Sequence, residues 1–304
     1  MRRAQRVGAS AALALVCSSA FAFGYCRTTT CDPRKESCGP PRGCPTRGIP
    51  LFWPSQCVTF SVQEDGSRKR DIPYVNARDT IVEGFLSWRD ASCPGGGTPS
   101  IDIRIANGDD GVSCARQEYN QDAGNANIWM FLDRRWPYAG SDETLALTTI
   151  TFNVENGEIY DADVEINSFD KNLTIGNDNI GSDLLSVVTH EAGHFFGLAH
   201  SEMSEATMFP SYNPGETKLR TLTADDVSGI CDIYPPERVA RTDSCVPRHG
   251  FSRECGSAQD EDGCSTSPRP ARTSGVAGLS ALSALAASAI ALRLRSRRRR
   301  PRRA

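Results

Sequence analysis

Through the middle of the chain, apolar residues either alternate with polar ones or recur at helical spacing, and the two patterns succeed each other. Cys57, Val58, Phe60 and Val62 mark a first strand over Gln56–Val62. Ala77, Ile81, Phe85 and Trp88 fall on one helical face, which predicts an amphipathic helix over Tyr74–Trp88 packed on a sheet. Pro94-Gly95-Gly96-Gly97 ends that unit as a loop. Ile101, Ile103 and Ile105 alternate with Asp102 and Arg104, predicting a half-buried strand, and Ile128–Leu132 predicts another. The clearest hairpin follows: Ile150, Phe152 and Val154 alternate, Asn156-Gly157 predicts a type I′ turn, and Ala162, Val164 and Ile166 alternate on the return. Ser182 or Asp183 can cap the next helix, whose Leu184, Val187 and Val188 lead into His190. Thr223 with Asp226 three residues on resembles a capping box with Asp in place of Glu, and that helix stops before Pro235-Pro236. Strands and helices interleaved in this way predict a mixed α/β scaffold.

The helix beginning near Leu184 carries the candidate chemistry. It contains His190-Glu191-Ala192-Gly193-His194, followed by Phe195-Phe196-Gly197-Leu198-Ala199-His200. His190 and His194 are four apart, so on a helix their imidazoles lie one turn above each other on one face. Two neutral imidazoles at that spacing can share one Zn²⁺, and Glu191 is placed to work on a water at the metal. Gly197 is free to take positive φ, letting the chain leave the helix and bring His200 back as a third ligand. A coincidental match is expected in roughly one chain in 10⁵ of this length, given ordinary residue usage.

The spacing H-E-x-x-H-x-x-G-x-x-H is that of metzincin peptidases. Ala206-Thr207-Met208-Phe209-Pro210-Ser211-Tyr212 then resembles the Met-turn of matrixins, the metzincin branch that includes matrix metalloproteinases. Leu222-Thr223-Ala224-Asp225-Asp226-Val227-Ser228-Gly229-Ile230 is similar to the helix that follows that turn. The resemblance is dense over residues 182–234 and looser back to about Leu51. It implies a twisted, mostly parallel sheet with an antiparallel edge strand, an active-site helix and a C-terminal helix. It further implies a zinc endopeptidase acting on proteins or peptides, with His190, His194 and His200 as ligands and Glu191 as general base. Met208 takes the place of the methionine under the zinc, Met203 being too close to His200. Pro210 and Tyr212 would line the pocket for the residue after the cut, and the strand near Ala146–Phe152 would pair with extended substrate.

Charge and the two ends change the picture of where such an enzyme works. The net charge of −3 hides an acidic middle, because Arg2, Arg3 and Arg6 and ten arginines from Arg269 to Arg303 sit at the ends. Without them 21 basic residues face 37 acidic ones, a net of −16 that argues against nucleic-acid partners. A basic start, the apolar run from Val7 to about Val16 and Ala20-Phe21-Ala22 read as a signal peptide over 1–22. Residues 23–50 form a Cys-rich segment, 51–238 the peptidase-like domain and 239–263 a Cys-containing linker. The tail, 264–304, has Cys264, a 17-residue apolar run over Val276–Leu292 and a closing arginine cluster. It resembles the C-terminal sorting signals of myxobacterial surface proteins, which implies processing at Cys264 by a sorting protease and retention at the cell surface. A simple membrane anchor is the alternative, the run being barely long enough to span a bilayer.

Twelve cysteines in an exported chain mean disulfides, and Cys17 leaves with the signal peptide. Eleven remain, so one is unpaired or modified. Arg42-Gly43-Cys44-Pro45 resembles, with the order changed, the matrixin propeptide sequence whose cysteine silences the zinc. Its four-cysteine surroundings argue for a disulfide instead, and parity fits either Cys44 or Cys264 as the odd residue. The family's second, structural zinc needs three more histidines, and only His249 is spare. Asp109, Asp110, Asp161 and Asp163 are candidates for the calcium common in the family, with solvated acidic loops as the alternative. The competing functional class is a zinc-stabilised surface adhesion protein without catalysis; Glu191 speaks against it, because a structural site needs no general base.

Overall fold

Alternating apolar positions produce five strands: β1 (Cys57–Val62), β2 (Asp102–Ile105), β3 (Ile128–Phe131), β4 (Thr144–Asn153) and β5 (Ile159–Ile166). The computed structural model describes residues 24–40, 43–106, 111–139, 143–240, 244–255 and, as backbone, 285–294. The five strands lie side by side in the order β2-β1-β3-β5-β4. β2, β1, β3 and β5 run parallel, and β4 returns antiparallel on β5. This is the mixed α/β sheet with an antiparallel outer strand that the resemblance implied.

Helices α1 (Tyr74–Arg89) and α2 (Leu184–Phe195) bury their apolar faces in one core with that sheet. Phe85 is its centre, with ring centroids 4.7 Å from Phe60, 5.2 Å from Trp129 and 5.0 Å from Phe195. Gly84 sets the helix spacing, because a Cβ there would lie 3.0 Å from Val188 Cγ2 and 3.2 Å from the Thr189 nitrogen. Trp88 Nε1 donates to the Thr189 carbonyl across the same seam (2.8 Å). Helix α3 (Ala224–Ile233) begins with the expected capping box, the Asp226 carboxylate accepting from the Thr223 nitrogen at 2.8 Å.

The far face of the sheet is covered as well. Val112, Cys114, Ala126, Ile128 and Met130 form a second, smaller cluster under Phe251 and Cys255. Residues 244–255, in the stretch expected as a linker, are stapled back by Cys57–Cys245 and Cys114–Cys255. Cys93–Cys231 ties the loop after α1 to α3, and Cys26–Cys44 and Cys31–Cys38 close the leader. Cys44 is thus committed to Cys26, and the latch reading is overturned: no thiol is left there to bind a metal. Cys17 and Cys264 lie outside the described residues, as does Asp109-Asp110.

Two expectations meet different backbone. The hairpin turns through four residues, Val154 to Gly157, with Asn153 and Glu158 bonded across it and positive φ only at Gly157 (+76°). Asn156 does not adopt the positive φ of a type I′ turn, because its Oδ1 accepts from the Glu158 nitrogen (3.0 Å) and holds a wider loop. The apolar run expected to cross a membrane is, over its described part, an extended strand, β6 (Leu285–Leu294), paired antiparallel along β4. The outer edge of β4 is a row of backbone donors and acceptors, which an extended segment satisfies and a helix cannot. Among the described residues no helix is long and apolar enough to cross a membrane.

Candidate metal centre

Asp183 starts α2, its carboxylate accepting from the Ser186 nitrogen at 2.9 Å, so the cap is Asp183 rather than Ser182. Arg220 holds that buried carboxylate with two bonds of 2.8 and 2.6 Å. One turn apart on the helix, His190 and His194 face the same side, their ring centroids 4.8 Å apart. The helix ends at Phe196, and Gly197 takes φ +101°, where a Cβ would meet the Leu51 carbonyl oxygen at 2.7 Å. The chain then reverses through Leu198–Ala199, which pair antiparallel with Cys26–Arg27, and delivers His200 to the other two. Its ring centroid lies 5.3 Å from that of His190 and 4.8 Å from that of His194.

The chemistry of this donor set fits a zinc ion. One ligand atom from each histidine lies within 4.8 Å of the others, and among the described residues this is the one cluster of that kind. His190 Nδ1 is 2.6 Å from the Thr207 carbonyl and His194 Nδ1 is 2.9 Å from the Leu198 carbonyl. A carbonyl only accepts, so each Nδ1 carries the proton and each Nε2 presents a lone pair. Both Nε2 atoms are buried without a hydrogen-bond partner, a costly state that a metal relieves. Burial, reinforced by the neighbouring histidines, depresses their basicity, to about 3 at His190 and well below the usual value at His194. Neutral imidazole is the form a cation needs.

Glu191 is wholly buried beside the cluster, and its Oε2 accepts a short hydrogen bond from Thr148 Oγ1. Sequence reasoning missed Thr148. Its signal was parity: Ala146, Thr148, Ile150 and Phe152 share the inward face of β4, and Thr148 is the polar member.

Met208 is buried, and its sulfur packs on α2 at Gly193, where a Cβ would lie 2.2 Å from Sδ. Asp226 holds this turn from α3, accepting from the Thr207 nitrogen at 2.8 Å and the Met208 nitrogen at 3.0 Å. Asp225 beside it accepts from Ser201 Oγ (2.6 Å) and from the Gly24 and Tyr25 nitrogens (2.6 and 2.9 Å). The sequence marked Asp226 as a cap but did not show that the pair braces the turn and the loop after His200. Met203 is exposed. Pro210 is half-buried. Tyr212 is fully buried, its hydroxyl donating to the Glu216 carbonyl (2.7 Å) and accepting from the Asp183 nitrogen (2.9 Å).

Of the four calcium candidates, Asp161 and Asp163 lie among the described residues, and both are buried. Asp163 spends both oxygens on backbone nitrogens, of Ile128 (2.9 Å) and Glu118 (2.8 Å), and bonds to Asp161. Burial raises the Asp161 carboxyl well above its usual range and that of Asp163 to about 7. His249 stands apart from the triad, its Nε2 3.1 Å from the Tyr119 hydroxyl.

Comparison with known proteins agrees with this geometry. Residues 130–235 match the family model described as matrixin. The chain is 40% identical over 103 residues to metalloendoproteinase 1-MMP of Arabidopsis thaliana, covering 34% of this chain and 28% of that protein. It is 25% identical over 199 residues to human matrix metalloproteinase-26, covering 65% of this chain and 66% of that protein. With human matrilysin it shares 27% identity over 188 residues, 60% of this chain and 58% of that protein. These likenesses support a matrix-metalloproteinase-like catalytic domain around the histidine triad.

Proposed function

We propose that the chain is an exported zinc-dependent endopeptidase of matrixin type, with His190, His194 and His200 holding the metal and Glu191 serving as general base. One observation carries the reading: two buried Nε2 lone pairs, fixed by carbonyls behind them, converge with His200 next to a buried carboxylate. Zinc bound there supplies an acidified water, of pKa about 7, and a Lewis acid for the scissile carbonyl. Glu191 takes a proton from the attacking water and gives it to the departing amine. Thr148 holds Oε2 of that carboxylate and so fixes how the carboxylate is turned. Asp226 and Asp225 keep the Met208 turn and the His200 loop in register, which keeps the three imidazoles converged.

The edge of β4 over Ala146–Phe152 receives the substrate as an added strand, and Pro210 with the Tyr212 backbone flanks the pocket for the residue after the cut. Five disulfides support export, since such bridges persist in oxidising compartments. Retention at the surface through Cys264 belongs to the same reading, and an intact mass of the cell-extracted protein tests it: an unmodified end at Ala304 rejects processing.

The decisive experiment is cleavage-site profiling on a proteome-derived peptide library, with zinc content measured in parallel. Glu191→Gln is expected to lower kcat by about 10²–10⁴ while keeping zinc. Stoichiometric zinc without cleavage, or a Glu191→Gln variant as active as the parent, overturns the assignment and favours the adhesion class.

A further inference from the structure

The edge proposed to receive substrate is occupied by the chain itself. β6 pairs antiparallel with β4 from Leu285 opposite Asn153 to Arg293 opposite Thr144. On its other side it pairs parallel with Ser211–Tyr212, Ser211 opposite Arg293 and Tyr212 opposite Leu294. It therefore fills the space between the two segments that flank the metal centre. Ile290 stands opposite Thr148, whose hydroxyl holds Glu191, and the β6 backbone comes within 8 Å of α2 by Cα separation.

We infer that residues 285–294 act as an intramolecular strap that competes with peptide substrates for the β4 edge and the Ser211–Tyr212 backbone, keeping the intact chain in a low-activity state. The inference rests on the proposed peptidase reading, because it assigns an occupant to the same cleft. Two physical points support it. The outer edge of the ten-residue strand β4 presents the backbone groups of every second residue, and an uncovered edge of that length is a template for any extended chain. The 29 residues between Cys255 and Leu285 reach about 100 Å when extended, so nothing prevents docking in cis. Tethering supplies an effective concentration of about a millimolar, enough for a segment that binds only weakly as a free peptide. A cut anywhere in 256–284 removes the tether, and the strap then leaves by dilution.

Two full-length proteins test this: the parent and the double variant Ser288→Pro with Ile290→Pro. The odd residues of β4 turn their backbone groups to β5 and the even ones to β6, so proline at Ser288 and Ile290 removes the donors that face Ile150 and Thr148, and it leaves every residue outside the strap unchanged. The variant is expected to raise kcat/KM for a library-derived peptide about tenfold. A synthetic peptide of residues 283–296 should inhibit it competitively. In the Glu191→Gln background, amides of Thr144–Asn153 should exchange faster in the proline variant than in its parent. Equal kcat/KM together with equal exchange overturns the strap. Different exchange with no cleavage by either protein leaves the docking in place and rejects the peptidase reading instead. Equal exchange with faster cleavage also overturns the strap, because the gain would then not come from uncovering β4.

Discussion

Gly193→Ala separates helix propensity from the needs of the metal centre, because the two predict opposite signs. In an unencumbered helix the change stabilises by about 1 kcal/mol. Here the new Cβ would lie 2.2 Å from Met208 Sδ, 3.1 Å from Met208 Cε and 2.8 Å from Trp88 Cζ2. Neither neighbour yields freely. The Met208 backbone is held on both sides, its nitrogen by Asp226 at 3.0 Å and its carbonyl by the Ser201 nitrogen at 2.8 Å. The Trp88 ring is pinned by its bond to the Thr189 carbonyl. Overpacking in such a site costs about 1–3 kcal/mol, and two obstructions put this case near the upper end. Set against the propensity gain, the net is a destabilisation of about 2 kcal/mol. For a domain of this size that lowers Tm by about 4–8 °C, readable by circular dichroism with the disulfides intact. Displacing the sulfur also disturbs the turn behind His190, so zinc affinity should fall about tenfold in a chelator competition. Met208→Ala removes both clashing sulfur-end atoms, so the double variant should be less destabilised than the sum of the singles by about 1–2 kcal/mol. A Gly193→Ala protein that melts at or above the parent temperature, or strict additivity with Met208→Ala, refutes the reasoning.

Other outcomes follow from the same geometry. Asp226→Asn keeps the volume but loses the charge that accepts from the Thr207, Met208 and Thr223 nitrogens, and should cost about 1.5–3 kcal/mol in thermal unfolding with zinc affinity reduced in step. The Asp161–Asp163 pair sets a pH dependence whose sign is unusual for carboxylates. The Asp163 carboxyl is at about 7 in the fold against 3.8 in the unfolded chain, so the native state holds the extra proton. Its contribution is full below about pH 4 and disappears as pH rises through 7, with a slope of at most about 1.4 kcal/mol per pH unit. Melting curves from pH 4.5 to 7.5 should show this loss in the parent and a flatter profile in Asp163→Asn; a steeper profile in the variant contradicts it.

Much of the chain could be read without coordinates wherever a local rule decided the matter. Period-two alternation located the strands, and the four-residue spacing of His190 and His194 with Gly197 after them specified a ligand face and a reversal, since helix geometry and the φ freedom of glycine are local properties. What lay outside local reach was settled by packing. Thr148 reaches Glu191 only because β4 runs beneath α2, and no spacing rule connects residues 43 apart. Asp225 and Asp226 look like ordinary first-turn acids, and become braces because α3 abuts the Met208 turn. Cys44 was ambiguous by parity and was decided by its proximity to Cys26. The apolar run Val276–Leu292 had the composition of a membrane segment; the conformation of its described part was decided by an open sheet edge that only the assembled fold presents. Sequence alone determined the candidate metal-ligating set, because that set is carried by side-chain identity and spacing along one helix and the turn after it. Tertiary structure decided how that chemistry is braced and what lies across it, because both depend on segments that meet only after the sheet has formed.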